Sequence, residues 1–233
     1  MDKIALPVVI ADAEALIFDL FHTLTRADPG WGTYKVLGVS KETWNEHLLE
    51  KSPDRLTGKE TDPLTIIQSL AHAIDPSIPH HIIQHATENR IQKFAQALVE
   101  IPTETVRFFE QLKSTGKKIG LLSNADVMEC AAWYQSPIAP FFDSVLFSCR
   151  VGYAKPERQI YEMSLHDLQV QPQDSVFIGD GGSGELEGAQ AVGMTTVMMT
   201  GIIKDLWPDR IEPRKPYADF VIENLSQLIE DRP

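Results

Sequence analysis

The sequence predicts a parallel α/β sheet with helices on both faces and a small helical domain attached. Three observations predict it. Short apolar runs alternate with helical patterns through residues 1–25 and 101–233, the order that builds a parallel sheet with right-handed crossovers. The runs are nearly continuous in apolar residues, as strands buried on both faces require. Residues 26–100 break the alternation, with helical periodicity and little strand character. At 233 residues the chain can fill a core and an insert.

Each element follows in order. Ala15-Leu16-Ile17-Phe18-Asp19-Leu20 reads as a buried strand whose end carries a carboxylate. In the insert, Thr61-Asp62-Pro63 supplies a helix cap with proline in the first turn. Leu64, Ile67, Ala71 and Ile74 then repeat at helical spacing, and Ile82, Ala86, Phe94 and Leu98 predict another helix. Trp31, Tyr34 and Trp44 read as packing residues of this domain, with Trp31 near enough to the hinge to face a pocket. Pro102 and Thr103 mark the return to the core. The next helix carries Val106, Phe109 and Leu112, and Gly116 is suited to end it. Strands are expected at Lys118 to Ser123, Ser144 to Ser148, Ser175 to Gly179, Met194 to Met199 and Ala218 to Ile222. Helices are expected at Val127 to Tyr134, Glu157 to Leu168 and Glu185 to Val192.

Composition narrows the function. A net charge of −12 repels polyanions, which argues against a nucleic-acid role. It leaves room for a small anion in a locally positive pocket. The first twenty residues are interrupted by Asp2, Asp12 and Glu14, so neither a signal peptide nor a membrane segment is expected. Cys130 and Cys149 lie in apolar surroundings, which suits reduced core thiols in a cytoplasmic protein, monomeric or homodimeric. His80, His81 and His85 lack metal-ligand spacing and read as surface residues.

Four segments carry chemistry, each at a strand end. In an open α/β sheet the carboxyl ends of the strands face the ligand crevice. Asp19 ends the first strand. Ser123-Asn124 ends the second with a hydroxyl and an amide, which bind an anion without adding charge. Lys155 precedes Pro156 at the mouth of a helix, where proline pushes it to an extended backbone and suits the first helical turn. Asp180 ends a buried strand, and Gly181-Gly182-Ser183-Gly184 leads into a helix that begins near Glu185.

This ordered set resembles the haloacid dehalogenase superfamily of hydrolases. The resemblance covers the whole chain and implies a Rossmann-like α/β core with a helical cap inserted after the first strand. It implies that Asp19 is the nucleophile that forms a covalent aspartyl intermediate. Thr23 matches the threonine that supports the nucleophile loop. Ser123 matches the hydroxyl that binds the transferring group, with Asn124 beside it at the substrate. Lys155 matches the lysine that holds the nucleophile and offsets charge. Asp180 matches an acidic metal ligand, and Glu185 stands where a second acid, usually aspartate, is found.

The chain departs from the family's phosphatases at Phe21. They carry a second aspartate two residues after the nucleophile, and it donates the proton to the leaving group. The family's dehalogenases carry an aromatic residue there and need no metal. Asp180 points the other way, because dehalogenases usually lack that acid. Asp19, Asp180 and Glu185 against Lys155 leave about two negative charges, which a proton or a divalent cation must offset. Mg²⁺ is the expected cofactor, held by Asp19, the Phe21 carbonyl and Asp180, with Glu185 orienting a bound water. Alternation along an extended chain points His22 away from Phe21. The leading expectation is a slow Mg²⁺-dependent phosphatase of a small phosphorylated metabolite. A metal-independent 2-haloacid dehalogenase and a non-catalytic binding protein are the alternatives.

Overall fold

Side-chain alternation along four central strands sorts the core into two layers. The computed structural model describes residues 5–27, 32–50 and 52–229. Helix α1 (Leu6–Asp12) leads into β1 (Ala15–Phe18). Five helices follow: α2 (Thr33–Leu37), α3 (Lys41–Glu50), α4 (Pro53–Leu56), α5 (Pro63–Ile74) and α6 (His80–Val99). The chain returns through α7 (Thr103–Ser114), β2 (Lys118–Ser123) and α8 (Val127–Cys130). Next come β3 (Ser144–Phe147), α9 (Ser148–Val151), α10 (Arg158–Leu168) and β4 (Ser175–Gly179). Then come α11 (Glu185–Val192), β5 (Thr195–Met199), α12 (Ile203–Leu206), α13 (Ile211–Arg214) and β6 (Phe220–Ile222).

The six strands form one parallel sheet in the order β3-β2-β1-β4-β5-β6. Leu16, Phe18, Ile119, Leu121, Val176, Ile178 and Val197 bury against α1 and α7. Ala15, Ile17, Leu122, Phe177 and Met198 bury against α10 and α11. Odd and even strand positions thus serve opposite layers, the period-2 rule of a pleated strand. A third cluster, with Trp44, Leu48, Ile66, Ile67, Leu70 and Ile83, belongs to the helical insertion and is closed from the core side by Met128. Asp62 caps α5 by accepting the Thr65 N–H at 2.7 Å.

The strand order reverses at β1. The chain builds β2 and β3 on one side of it, then crosses to place β4 on the other. Such a switch point opens a crevice at the carboxyl ends of the strands. Asp19 stands just beyond β1 in that crevice.

Some expected boundaries move. The first strand ends at Phe18, although the Asp19 N–H still reaches the Ile178 carbonyl at 2.9 Å. The helix expected over Val127 to Tyr134 stops at Cys130, and a separate 3₁₀ turn covers Trp133–Gln135. Pro156 does not open a helix. Ala154 to Glu157 form a turn with a cis Lys155–Pro156 bond, and α10 begins at Arg158. Helix α1 was not anticipated; Leu6, Val9 and Ile10 seat it on the core. Trp31, expected near the hinge, lies outside the described residues.

Candidate active site

Asp19 is buried at the end of β1, and a tight loop folds around it. The Leu24 and Thr25 N–H groups donate to the Leu20 carbonyl, and the His22 N–H donates to the Thr25 carbonyl. None of these three bonds uses the Phe21 carbonyl. The Thr23 hydroxyl donates to Asp19 Oδ2 at 3.0 Å, so Thr23 supports Asp19 and does not line the cavity. The Phe21 ring lines the cavity and meets Phe94 of α6 edge-on at 5.3 Å. His22 is a correction. Its φ of 68° takes it out of the extended backbone on which the alternation rule depends. Its ring therefore reaches the cavity wall, against Trp207 and the Ala27 carbonyl.

Lys155 comes from the loop before α10. Its ammonium lies 2.6 Å from Asp19 Oδ1 and 2.5 Å from Glu185 Oε2. Asn124 holds the backbone of that loop. Its Oδ1 accepts the Lys155 N–H at 2.7 Å, and its Nδ2 donates to the Lys155 carbonyl at 2.9 Å. The amide expected at the substrate lines the cavity and also positions Lys155. Ser123 is buried at the end of β2, is not among the cavity-lining residues, and its Oγ has no hydrogen-bond partner among the described residues.

Asp180 and Glu185 come from β4, its glycine loop and the start of α11. Glu185 Oε1 accepts the Gly181 N–H at 2.8 Å. A Cβ on Gly179 would stand 2.2 Å from that oxygen, so a side chain there would displace the Glu185 carboxylate. Glu185 was expected to orient a water; here it contacts Lys155 directly. Asp180 Oδ1 accepts the Gly182 N–H at 2.8 Å. Arg214 of α13 donates to Asp180 Oδ2 at 2.8 Å and to the Asp180 carbonyl at 2.9 Å. Sequence reasoning missed Arg214. It lies in the charged stretch Arg210 to Lys215, with no spacing that separates it from a solvated helix face.

The charges decide what the cluster can hold. One oxygen from each of Asp19, Asp180 and Glu185 lies within 4.8 Å of the other two. Arg214 halves the deficit expected from the sequence: three carboxylates face two cations. The remaining negative charge bears on Glu185. Burial first, then repulsion from Asp19, hold the Glu185 carboxyl well above its ordinary value. Burial pulls the Lys155 ammonium down, but attraction to Asp19 and Glu185 outweighs it and keeps the group above the usual lysine value. Three converging carboxylates fit a hard divalent cation. The cavity above them has a volume of about 330 Å³ and is walled by the sheet edge, the insertion and the α12–α13 segment. Among the described residues, no helix is long and apolar enough to cross a membrane.

Comparison with known proteins places this geometry. A family model described as haloacid dehalogenase-like hydrolase matches residues 13–193. The glyceraldehyde 3-phosphate phosphatase of Methanocaldococcus jannaschii is 26% identical over 136 residues, 58% of this chain and 57% of that protein. Its counterpart from Methanothermobacter thermautotrophicus is 30% identical over 120 residues, 51% of this chain and 53% of that protein. The chain spans about half the length of these curated relatives. The L-2-haloacid dehalogenase of Xanthobacter autotrophicus shares the fold with a TM-score of 0.63 at 17% identity, over 93% of this chain and 96% of that one.

Proposed function

Because the chain belongs to the haloacid dehalogenase-like hydrolases, we propose that it is a magnesium-dependent phosphatase of a small phosphorylated metabolite. The observation that carries the reading is the convergence of Asp19, Asp180 and Glu185 beside Lys155. The similarity to glyceraldehyde 3-phosphate phosphatases supports it. Residues 1–25 and 101–233 are read as the core domain and 26–100 as a cap over the site.

Asp19 is the nucleophile. An oxygen of its carboxylate attacks phosphorus, the ester oxygen leaves, and water then hydrolyses the aspartyl phosphate. Lys155 holds Asp19 in place and offsets charge on the transferring group. Ser123 offers a hydroxyl to a phosphoryl oxygen, and Asn124 and Thr23 keep Lys155 and Asp19 in position. Asp19, Asp180 and the Phe21 carbonyl would hold Mg²⁺, which supplies charge neutralisation to phosphoryl transfer. The cap side of the cavity excludes bulk water. Phe21 provides no proton for the leaving oxygen, so turnover is slow or favours good leaving groups.

Phe21 is also the observation that favours a second reading, a metal-independent 2-haloacid dehalogenase, because halide departs without a proton. One panel separates them: p-nitrophenyl phosphate, triose phosphates and 2-chloropropionate, each with Mg²⁺ and with EDTA. Phosphate release that stops in EDTA and in Asp19→Asn is the expected result. Halide release that persists in EDTA would replace it with the second reading. No turnover of any substrate would leave a binding protein.

A further inference from the structure

Four carboxylates and four arginine or lysine side chains line the cavity. Three of the cations face acids of the same wall. Lys155 reaches Asp19 and Glu185, Arg214 reaches Asp180, and Arg55 reaches Glu129. The fourth is Arg210, and among the described residues no carboxylate pairs with it. The acids closest to it in sequence are turned to other tasks or other surfaces. Asp205 pairs with Arg26, Glu212 pairs with Lys215, and Asp209 does not line the cavity.

An aromatic ring holds Arg210 at the wall. Its guanidinium carbon lies 5.1 Å from the centre of the Trp207 ring. Its backbone N–H donates to the Trp207 carbonyl at 3.0 Å, across the 3₁₀ turn Pro208–Arg210. Trp207 meets His22 edge-on at 4.7 Å, and both of these rings line the cavity. A guanidinium stacked on an indole keeps its in-plane N–H groups open to a carboxylate or a phosphoryl group. Stacking also lowers the ordering cost of clamping an anion. Arg210 keeps a helical backbone (φ −86°, ψ −10°) just before α13, which places it one turn before Arg214. Side chains four apart on a helix start about 5–6 Å from each other. Arg214 holds Asp180 in the acidic cluster, so the spacing suits a second anion a short carbon chain away from that cluster.

Resting on the phosphatase reading, we propose that Arg210, held on Trp207, binds a second anionic group of the substrate. The cavity then favours phosphomonoesters whose short carbon skeleton ends in a carboxylate or a second phosphoryl group over those that end in a hydroxyl.

The test compares kcat/KM for 3-phosphoglycerate, propane-1,3-diol bisphosphate and glycerol 3-phosphate, with p-nitrophenyl phosphate as the reference substrate. The native protein is expected to prefer at least one of the first two over glycerol 3-phosphate by about tenfold or more. Which of the two it prefers tells a carboxylate site from a phosphoryl site. Arg210→Gln should remove about tenfold of that preference, through a higher KM more than a lower kcat. Arg210→Lys should keep part of it, because an ammonium retains the charge without the planar fork. Arg210 is exposed, so both substitutions stay clear of the core. No preference in the native protein, or one that Arg210→Gln leaves unmoved, would overturn the subsite while p-nitrophenyl phosphate is still cleaved. An equal loss on all four substrates would also overturn it, since Arg210 would then attract any anion alike. Failure of the native protein to release phosphate from any of the four would overturn the phosphatase reading and the subsite with it.

Discussion

Lys155 and Asp19 are 136 residues apart in sequence, and Lys155 Nζ lies 2.6 Å from Asp19 Oδ1. Both side chains are almost fully buried, so the pair cannot be screened by water as a surface ion pair is. Lys155→Met removes one partner and leaves Asp19 and Glu185 facing each other. It is expected to cost about 3–5 kcal/mol of stability, read by urea denaturation. Phosphate release should fall by about 10²-fold or more, because a preorganised cation beside the transferring group is lost. A variant as stable and as active as the native protein would place the ammonium outside the chemistry.

Phe21→Asp places a proton donor two residues after Asp19, the proposed nucleophile. General acid–base help is worth about 10²–10⁴-fold, and a rise in kcat of about 10²-fold on an alkyl phosphate is expected. The gain should be much smaller on p-nitrophenyl phosphate, whose leaving group needs little protonation. The Phe21 ring packs on Phe94, so some stability is lost with it. A folded variant with no gain on either substrate would show that the leaving group takes its proton elsewhere.

Much of this site was legible before the fold was known, for physical reasons. Strands β2 and β4 and helix α11 lie at the predicted residues because their apolar runs are bounded by polar or glycine positions. Asp19 and Asp180 lie just past strand ends, Glu185 begins a helix and Lys155 lies in the loop before one; they converge because parallel strands bring all such connections to one edge. Arg214 was not legible. It sits on a four-residue helix, too short for a period, and reaches Asp180 only through the packing of α13 over the glycine loop. The bonds from Asn124 to the Lys155 backbone had no local signature, since an amide at a strand end looks the same whether it meets substrate or backbone. The buried set that joins Arg55 and Arg90 to Asp126 and Glu129 links parts of the chain more than thirty residues apart, and only the Asp126–Glu129 capping box had a local signature.

Arg214 would compete with the proposed cation for Asp180. Its guanidinium occupies Oδ2 and adds a positive charge beside the acidic cluster. Arg214→Met frees that oxygen and restores the charge deficit. Magnesium affinity of the substrate-free protein is expected to rise by about tenfold, read by titration calorimetry. Weaker binding would mean that Arg214 acts mainly by orienting Asp180, with its charge a minor matter.

Glu185 makes stability depend on pH with a defined sign. Burial and the nearby Asp19 raise its folded-state value above the ordinary 4.5. Between 4.5 and that raised value the folded chain holds a proton that the unfolded chain has released. Stability from this group therefore falls as pH rises through the window. Lys155 does not mask the effect below its ordinary value of 10.5, since its folded value is higher still. Glu185→Gln has no proton to lose. In EDTA, the melting temperature of the native protein minus that of Glu185→Gln should decline as the pH rises above 4.5. Magnesium should flatten the decline, since a divalent charge lets Glu185 ionise at lower cost. A difference that stays level or grows with pH in EDTA would mean that Glu185 is ionised throughout, and the negative charge left over by Lys155 and Arg214 would then have to be met without a proton on Glu185.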